Sequence, residues 1–378
     1  MILGITPFDV LLIVVIILLV IFTPILLRMR INSTITRSTL ELEDMVNKSK
    51  ENLKNLCIEK GNMDRDPSDD IDKFMDFFIV PPVDMDPSGL MKKFEKIMEL
   101  GEDRFKHMAD IIAPDANNEW KANISMTLKA TIAINGVAKM VRHNLELSKK
   151  TGSLQILIML QMGLPMIMKI VRAQFESTKL FSECKPIGDG LGPLVTGMLM
   201  KDVNEDDIEE IDDVVIGKSV INGVNVVIAR AKGPGARIGR IGKTVTSIME
   251  REKIKRLITV DAAQKLEGEE TGSVAEGIGV VIGGPGIDKW VIEEEMIKKD
   301  LQVDAVVVKM SPEESIQQMT QIIVDASKKA LEVLETSILL SEAGNKIMVL
   351  GVGNSSGIPN IVKDISKINI KQDNKKGN

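Results

Sequence analysis

The feature that most constrains this chain is an uncharged run of eighteen residues, Val10–Leu27. A helix rises about 1.5 Å per residue, so the run covers roughly 27 Å, close to the hydrocarbon thickness of a bilayer. Isoleucine, valine and leucine dominate it, and Pro24 lies in its last turn, where a kink is tolerated. The run predicts one transmembrane helix over residues 8–28, which contacts the lipid bilayer through residues 10–27.

A cleaved signal peptide is the alternative, and the flanking residues argue against it. The first nine residues contain no Lys or Arg, and no A-x-A-like cleavage site follows the run. Three arginines follow it instead, at Arg28, Arg30 and Arg37. Because cytoplasmic flanks carry the excess of Lys and Arg, we expect a single-pass protein of the cell membrane, with its N-terminus outside and its C-terminal domains in the cytoplasm.

Composition excludes some classes of function. The formal net charge of -6 argues against nucleic acid as a partner, and the absence of tyrosine leaves few platforms for base stacking. With His107 and His143 as the only histidines, a His-based zinc site is not expected. Cys57 and Cys184 lie far apart, as suits a reducing compartment.

Behind the apolar run, the pattern is helical as far as residue 200. Ser38-Thr39-Leu40-Glu41 is a capping box and predicts an amphipathic stalk helix over residues 38–60. A linker over residues 61–87 and a helical domain over residues 88–200 follow. The stalk and this domain are the predicted surfaces for self-association. The helices predicted in the domain are Ser88–Ile112, Asn117–Lys150 and Leu154–Phe181.

The last of these helices contains the second most apolar segment of the chain. Gln155, Gln161 and Lys169 interrupt the segment, so the pattern favours a buried core helix over a second span. A re-entrant segment or one on the membrane surface is the remaining alternative.

The pattern changes after an acid-rich stretch. Residues 201–213 read as a solvated acidic linker rather than a cation site. Short β-branched runs then alternate with helical stretches, which is typical of an α/β domain with a mostly parallel sheet. Asn222-Gly223 predicts a hairpin, and the last helix is predicted over Pro312–Ala343. The α/β domain is assigned to residues 214–362, and a polar tail to residues 363–378.

A glycine-rich basic loop within this domain resembles a phosphate loop. Gly242-Lys243-Thr244 stands near a helix start, but Walker A spacing requires a glycine where this chain has Arg237. Basic side chains mixed with bare backbone amides predict an anion site at a helix N-terminus; a flexible surface loop is the alternative of equal weight. The anion-binding candidates are Lys232, Gly233, Gly235, Arg237, Arg240 and Lys243.

Carboxylates cluster at the end of the next predicted strand. Asp261 ends the strand, and Glu267, Glu269 and Glu270 follow it closely. Carboxylates at a strand end hold Mg²⁺ or act as general bases. These four residues are therefore the metal candidates, with Mg²⁺ as the expected ion.

Glycine-rich turns follow two of the predicted strands, and they indicate either tight turns or an occupied cleft. Gly351-Val-Gly353-Asn354 is similar to a loop in hydrogenase-maturation and spore-germination proteases, although the rest of the chain adds nothing to that similarity. Asp189, between two glycines, is a further candidate, or else part of the turn that ends the apolar helix. The turn residues are Gly283, Gly284, Gly286, Gly351, Gly353 and Asn354.

The whole layout resembles an uncharacterised archaeal family of membrane-anchored proteins of about this length. The likeness covers nearly the full chain, and its specific part is VDAAQKLEGEETGSVAEGIGVVIGGPG, Val260–Gly286. The family carries no assigned activity. The resemblance therefore implies the anchor and the order of the domains, and it supplies no catalytic residues.

The predicted fold is one N-terminal transmembrane helix, an all-α middle domain, and a C-terminal α/β domain with a mostly parallel sheet and a hairpin. We expect the α/β domain to bind an anionic ligand, for example a phosphorylated one, with a divalent cation. An enzyme of this kind would be a metal-assisted hydrolase or a phosphoryl-transfer enzyme. No nucleophile–base pair is visible, so a membrane-tethered scaffold without ligand chemistry is the alternative.

Overall fold

The computed structural model of the chain describes residues 7–62, 65–81, 89–284, 286–341 and 344–371. Parts of the predicted linker (residues 63–64 and 82–87), the first residue of the predicted helical domain (Ser88) and part of the polar tail (residues 372–378) lie outside the described residues. The chain forms two compact units. The first comprises Met1–Lys48 and Ala133–Arg172, and the second comprises Ser49–Ile132 and Ala173–Asn378.

The first helix is much longer than either of the two helices predicted from the sequence. α1 runs without a break over Pro7–Gly61, so no helix begins at the predicted capping box of residues 38–41. No glycine or proline occurs between Arg28 and Lys60 to interrupt it. Instead of capping a new helix, the Thr39 hydroxyl donates to the Ile35 carbonyl oxygen one turn earlier, at 2.8 Å.

Burial divides α1 into two parts. Every residue of the apolar run, Val10–Leu27, is exposed. A stripe of buried residues begins at Ile31 and continues through Ile35 and Leu42. Length and composition make α1 one of two described helices able to cross a membrane, and α5 is the other. The exposed apolar run is what a helix surrounded by lipid requires.

In the first unit, two helices flank this stripe. They are the second half of α4 (Asn118–Thr151) and the first part of α5 (Leu154–Ser182). Arg142 of α4 donates two hydrogen bonds to the Glu43 carboxylate, at 2.7 and 2.8 Å. Arg172 of α5 does the same to Glu41, at 2.8 and 3.1 Å. Bidentate pairs of this kind fix the register of the helices as well as their contact.

The first half of α5 differs from the predicted buried core helix. Its buried side chains, among them Leu157, Leu164 and Met168, face the unit interior. Only 22% of its apolar window is buried. The Met159 and Met162 side chains lie on the opposite side and are exposed. The sequence pattern missed this because both faces of the helix are apolar.

The second unit is built around a seven-stranded mixed sheet with the order β1-β2-β3-β7-β4-β6-β5. The four central strands β3, β7, β4 and β6 are parallel, and the others pair antiparallel. This confirms the predicted α/β fold with mostly parallel strands and a hairpin. The strands are β1 Glu209–Ile211, β2 Val214–Ile221, β3 Val224–Ala231, β4 Arg256–Gln264, β5 Val274–Ile278, β6 Gln302–Met310 and β7 Lys346–Gly351.

Helices cover both faces of the sheet. α6 (Leu191–Leu199) and α10 (Gln321–Leu339) enclose one apolar core, and α7 (Ile241–Glu252) and α8 (Ile287–Lys299) enclose the other. This unit also contains α2 Ser68–Phe74, α3 Leu90–Ile112 and α9 Pro312–Ile316, together with the first part of α4 and the last part of α5.

The predicted hairpin is present. β2 and β3 pair as far as Ile221 and Val224, and Asn222 and Gly223 between them have φ values of 49° and 85°. Both positive φ angles are those that a tight hairpin turn requires.

Four local features differ from the sequence-based expectations. The helix predicted over 312–343 is two helices, α9 and α10. The acidic stretch contains the strand β1, which pairs with β2. β5 was not predicted, because a five-residue edge strand containing Gly277 has a weak pattern. α6 lies before residue 200 in the predicted helical domain, yet it packs on the sheet.

Candidate functional site

Two aspartates lie near each other where β7 ends beside β4; β4 itself continues to Gln264, so Asp261 does not end its strand as the sequence predicted. Asp261 lies in β4, one residue beyond the pairing of Val260 with Gly351 of β7, and is 2% exposed. Asp189 lies in the 3₁₀ turn Gly188–Gly190, directly before α6, and is half-buried. The carboxyl ends of parallel strands are where α/β sheets place their ligands.

Close backbone approach brings the two aspartates together. A Cβ atom at Gly192, in the first turn of α6, would overlap the carbonyl oxygens of Val260 and Val352, so α6 is seated between the ends of β4 and β7. Gly353 has φ +127°, and a Cβ there would overlap the Asp189 carbonyl oxygen. Only glycine permits these contacts, so part of the predicted glycine density serves to build this site.

Backbone amides hold both carboxylates. The Asn354 N–H donates to Asp189 Oδ2 at 2.9 Å. The Ala262 N–H donates to Asp261 Oδ1 at 2.7 Å, and the Gly283 N–H donates to Asp261 Oδ2 at 3.1 Å. The Asp189 carboxylate is therefore oriented by the loop after β7, and the Asp261 carboxylate by its own strand and by the segment after β5.

The electrostatics of the pair favour a retained proton. Burial raises the pKa of the Asp261 carboxyl to about 8, and the neighbouring charge of Asp189 adds to the rise. Burial also raises the pKa of Asp189. Among the described residues no Lys or Arg forms an ion pair with either aspartate. Burial, the neighbouring carboxyl and the lack of a described cation each disfavour the ionised form of these groups.

One side of the site is bordered by an exposed glycine segment. Gly283 and Gly284 are exposed, and a Cβ atom at either position would meet no other atom within 4 Å. The Gly283 amide contacts Asp261 directly, so this segment lies between the solvent and the buried carboxyl group that has the strongly raised pKa.

The loop after β7 is held from several sides. The Ser355 hydroxyl donates toward the Lys232 and Gly235 carbonyl oxygens, at 2.6 and 2.7 Å. The Ser356 hydroxyl donates to the Lys185 carbonyl oxygen at 2.8 Å. The fully buried Arg230 donates to the carbonyl oxygens of residues 358–360, and burial lowers its pKa to about 9. These contacts make the loop that carries Asn354 rigid.

The basic loop, residues 232–243, forms a different arrangement. Its cations are matched by carboxylates: Lys232 pairs with Glu210 at 2.8 Å, Arg237 with Glu119 at 2.5 Å, and Lys243 with Glu99 at 3.7 Å. Arg240 pairs with Asp103.

The amides of the loop are occupied as well. The Gly233 N–H donates to Asn360 Oδ1 and the Gly235 N–H to Glu119 Oε2. At the start of α7, where an external anion would bind, the Gly242 N–H donates to Asp288 Oδ1 at 2.8 Å. The anion-binding groups of this loop thus already contact the protein's own polar side chains.

The metal candidates do not form one cluster. Glu267 and Glu270 are exposed, and Glu269 pairs with Lys309. Asp261 instead lies with Asp189. Within the described part of the chain no group of three or more His, Cys, Asp or Glu side chains is arranged to hold a metal ion. Sequence reasoning named both aspartates but did not pair them, because 72 residues of chain separate the two positions.

Fold and site together define an α/β protein with an aspartate pair at the carboxyl edge of its sheet. Two family models match the chain. The model described as "Protein of unknown function (DUF1512) N-terminal domain" matches residues 9–184, and the model described as "Domain of unknown function (DUF1512) C-terminal" matches residues 187–359. The chain therefore belongs to this uncharacterised family. No curated protein and no solved structure matches it.

The limits of the two family domains agree with the geometry of the site. The C-terminal domain begins at residue 187, immediately before the turn that carries Asp189. Both aspartates and α6 therefore lie in one family domain. The archaeal origin expected from the resemblance stays a prediction.

Proposed function

We propose that this chain is a membrane-anchored hydrolase in which Asp189 and Asp261 act as a general acid–base pair on a water molecule. The observation that carries the proposal is the geometry of the pair: one carboxyl in β4 and one in the turn before α6, both oriented by backbone amides and bordered by an exposed glycine segment. Pairs of titratable groups in such environments are the usual source of acid and base catalysis.

The chemistry follows from one shared proton. The ionised carboxyl takes a proton from water while the water oxygen attacks a carbonyl carbon, and the protonated carboxyl gives its proton to the carbonyl oxygen. In the second step the carboxyl that took the water proton gives it to the leaving nitrogen, the other carboxylate takes a proton from one hydroxyl of the tetrahedral intermediate, and the C–N bond breaks. Water and amide become acid and amine, and the pair returns to its starting state.

The charge around the pair selects the class of substrate. A phosphorylated ligand would bring negative charge next to two carboxyls that no described cation neutralises, which costs electrostatic free energy. An uncharged carbonyl compound, such as an amide or a peptide bond, does not. The site therefore supports carbonyl hydrolysis better than the phosphoryl transfer considered from the sequence.

The anchor and its orientation form the second part of the proposal. The exposed apolar run of α1 supports a span through residues 10–27, and Arg28, Arg30 and Arg37 favour the cytoplasmic side for the chain that follows. The hydrolase domain would then act in the cytoplasm, tethered to the inner leaflet.

The first test asks whether the pair holds a proton. Infrared spectra of the full chain in lipid nanodiscs at pH 7 are compared for the natural protein and the Asp189→Asn and Asp261→Asn variants. We expect a carboxylic-acid band that either substitution changes and that the exposed control Glu267→Gln leaves unchanged. Two fully ionised aspartates at pH 7 would rule out the acid–base pair.

The second test measures hydrolysis. A pool of internally quenched peptides is incubated with the same proteins, with and without Mg²⁺ or a chelator. We expect either aspartate variant to lose about 10²–10⁴-fold in rate and Glu267→Gln to keep the rate. A requirement for Mg²⁺ would support the metal-assisted version, with the pair as ligands. Equal rates in all variants would leave the tethered scaffold as the better account.

A further inference from the structure

The turn between α4 and α5 lies beside the end of the apolar run of α1, all within the first unit. Leu154, the first residue of α5, lines one shallow groove with Leu19, Thr23 and Leu27 of α1. A Cβ atom at Gly152 would lie 3.5 Å from the Arg28 guanidinium. The turn is therefore level with the boundary between the apolar run and the first arginine.

Two contacts set the direction of α5. Its first residue lies beside residues 19–27 of α1, and its Arg172 pairs with Glu41. α5 therefore runs parallel to α1 and away from the apolar run. A helix that starts where the span ends and continues along the stalk cannot itself cross the same bilayer.

Charge and apolar surface at this turn match a lipid headgroup layer. Lys149 and Lys150 end α4, and both are exposed, as is Arg30 on α1. Met159, 66% exposed, lies five residues beyond Leu154, or about 7.5 Å along the helix, within the headgroup layer of roughly 5–8 Å per leaflet. Basic residues beside exposed apolar side chains are typical of surfaces that bind anionic lipids.

We propose that the α4–α5 turn, residues 149–154, rests on the cytoplasmic leaflet, where Leu154 and Met159 contact lipid and Arg30, Lys149 and Lys150 bind anionic headgroups. This inference depends on the proposed membrane span of α1. The ion pairs Arg142–Glu43 and Arg172–Glu41 fix the position of the turn along α1. Contact between the turn and the membrane would therefore set the orientation of the cytoplasmic part of α1 relative to the membrane.

The test uses the full chain in nanodiscs that contain phosphatidylserine and brominated phosphatidylcholine. In a background in which Cys57 and Cys184 are replaced by serine, single cysteines carrying an environment-sensitive fluorophore are introduced by Gln155→Cys at the turn, Leu18→Cys in the span, and Asn47→Cys on α1 as the control. Asn47 is exposed and lies 19 residues, roughly 28 Å, beyond Arg28. Bromine quenches fluorophores that contact the lipid.

We expect quenching at Gln155→Cys to approach that at Leu18→Cys and to exceed that at Asn47→Cys several-fold. The double substitution Lys149→Gln and Lys150→Gln should weaken the dependence of this quenching on phosphatidylserine, whereas the exposed control Lys48→Gln should not. Quenching at Leu18→Cys alone would overturn the turn proposal and keep the anchor. Protection of Gln155→Cys from both lipid and aqueous quenchers would indicate a second copy as the occupant, and no quenching at Leu18→Cys would overturn the anchor.

Discussion

The aspartate pair and the basic loop lie at the same edge of one sheet, but their charges have opposite surroundings. The basic loop carries four basic side chains, and each has a carboxylate partner. The two aspartates, in β4 and in the turn before α6, have backbone amides for partners and no described cation. Both looked like ligand sites in the sequence. A charged or ionisable group that the fold leaves without an opposite charge is therefore a better indicator of a reactive site than the number of charged residues in a segment.

The largest expected effect is a pH dependence of stability that the pair imposes. The pKa of Asp261 is about 8 in the folded protein against the ordinary 3.8, so the folded state holds more protons than the unfolded state between these values. The free energy of unfolding should therefore fall by roughly 4 to 6 kcal/mol as pH rises from 4 to 8. Thermal unfolding of the full chain in detergent at several pH values measures this.

Two variants sharpen that result. Asp261→Asn should remove most of the decline and unfold at a higher temperature than the natural protein at pH 8. Asp189→Asn should reduce the decline, because it removes the neighbouring charge that adds to the pKa of Asp261. Stability that rises between pH 4 and 8 in the natural protein, and not in Asp261→Asn, would mean that the pair is compensated like the basic loop.

The next effect tests the steric construction of the site. Gly353→Ala places a Cβ atom against the Asp189 carbonyl oxygen at φ +127°, and should cost about 3 kcal/mol and displace Asp189 from Asp261. Gly283→Ala, where the Cβ meets open space, is the matched control and should change stability by less than about 0.5 kcal/mol. Equal unfolding temperatures for the two variants would contradict the close approach described for Gly353.

A smaller effect is expected in the basic loop. Arg237 is 8% exposed and donates to Glu119 and to the Asn118 carbonyl oxygen, so Arg237→Met removes the guanidinium partner of the partly buried Glu119 carboxylate and leaves it only the Gly235 N–H and the more distant Lys232. We expect a loss of about 2 kcal/mol and no change in the hydrolysis rate per folded molecule. Unfolding measurements with a parallel rate assay separate the two. A rate loss beyond the folded fraction would assign the loop to the site.

The fold was largely predictable because its patterns are local. The Asn222-Gly223 hairpin, the central β-branched strands and the exposed apolar run each depend on neighbouring residues. The prediction that a helix begins at Ser38 was wrong for the same reason. A local capping pattern does not start a new helix where nothing interrupts the preceding one. The two-sided apolar pattern of α5 could not indicate which face is covered.

The site was less predictable because the role of each charged residue depends on partners that lie far away in the sequence. Lys232 and Arg237 are separated from Glu210 and Glu119 by 22 and 118 residues, so no window of sequence reveals that they are paired. Asp189 and Asp261 were both named as candidates, and only the seating of α6 between two strand ends joins them. A Gly-Asp-Gly turn directly before an apolar helix, together with an Asp at a strand end, is the signal that a search of related chains could use.

The smallest effect concerns Lys243 at the edge of the basic loop. It decides whether the ion pair of this lysine contributes to stability or is only a close approach of two charges. The Lys243 side chain is 64% exposed and lies 3.7 Å from Glu99. Because water screens an exposed pair, Lys243→Gln should change the free energy of unfolding by less than about 0.5 kcal/mol, and inorganic phosphate should not stabilise the natural protein. Thermal shifts with and without phosphate measure both. A shift in the natural protein that Lys243→Gln abolishes would show that Glu99 does not occupy this cation. The basic loop would then contain an anion site, and the contrast with the aspartate pair would hold only for the buried cations of the loop.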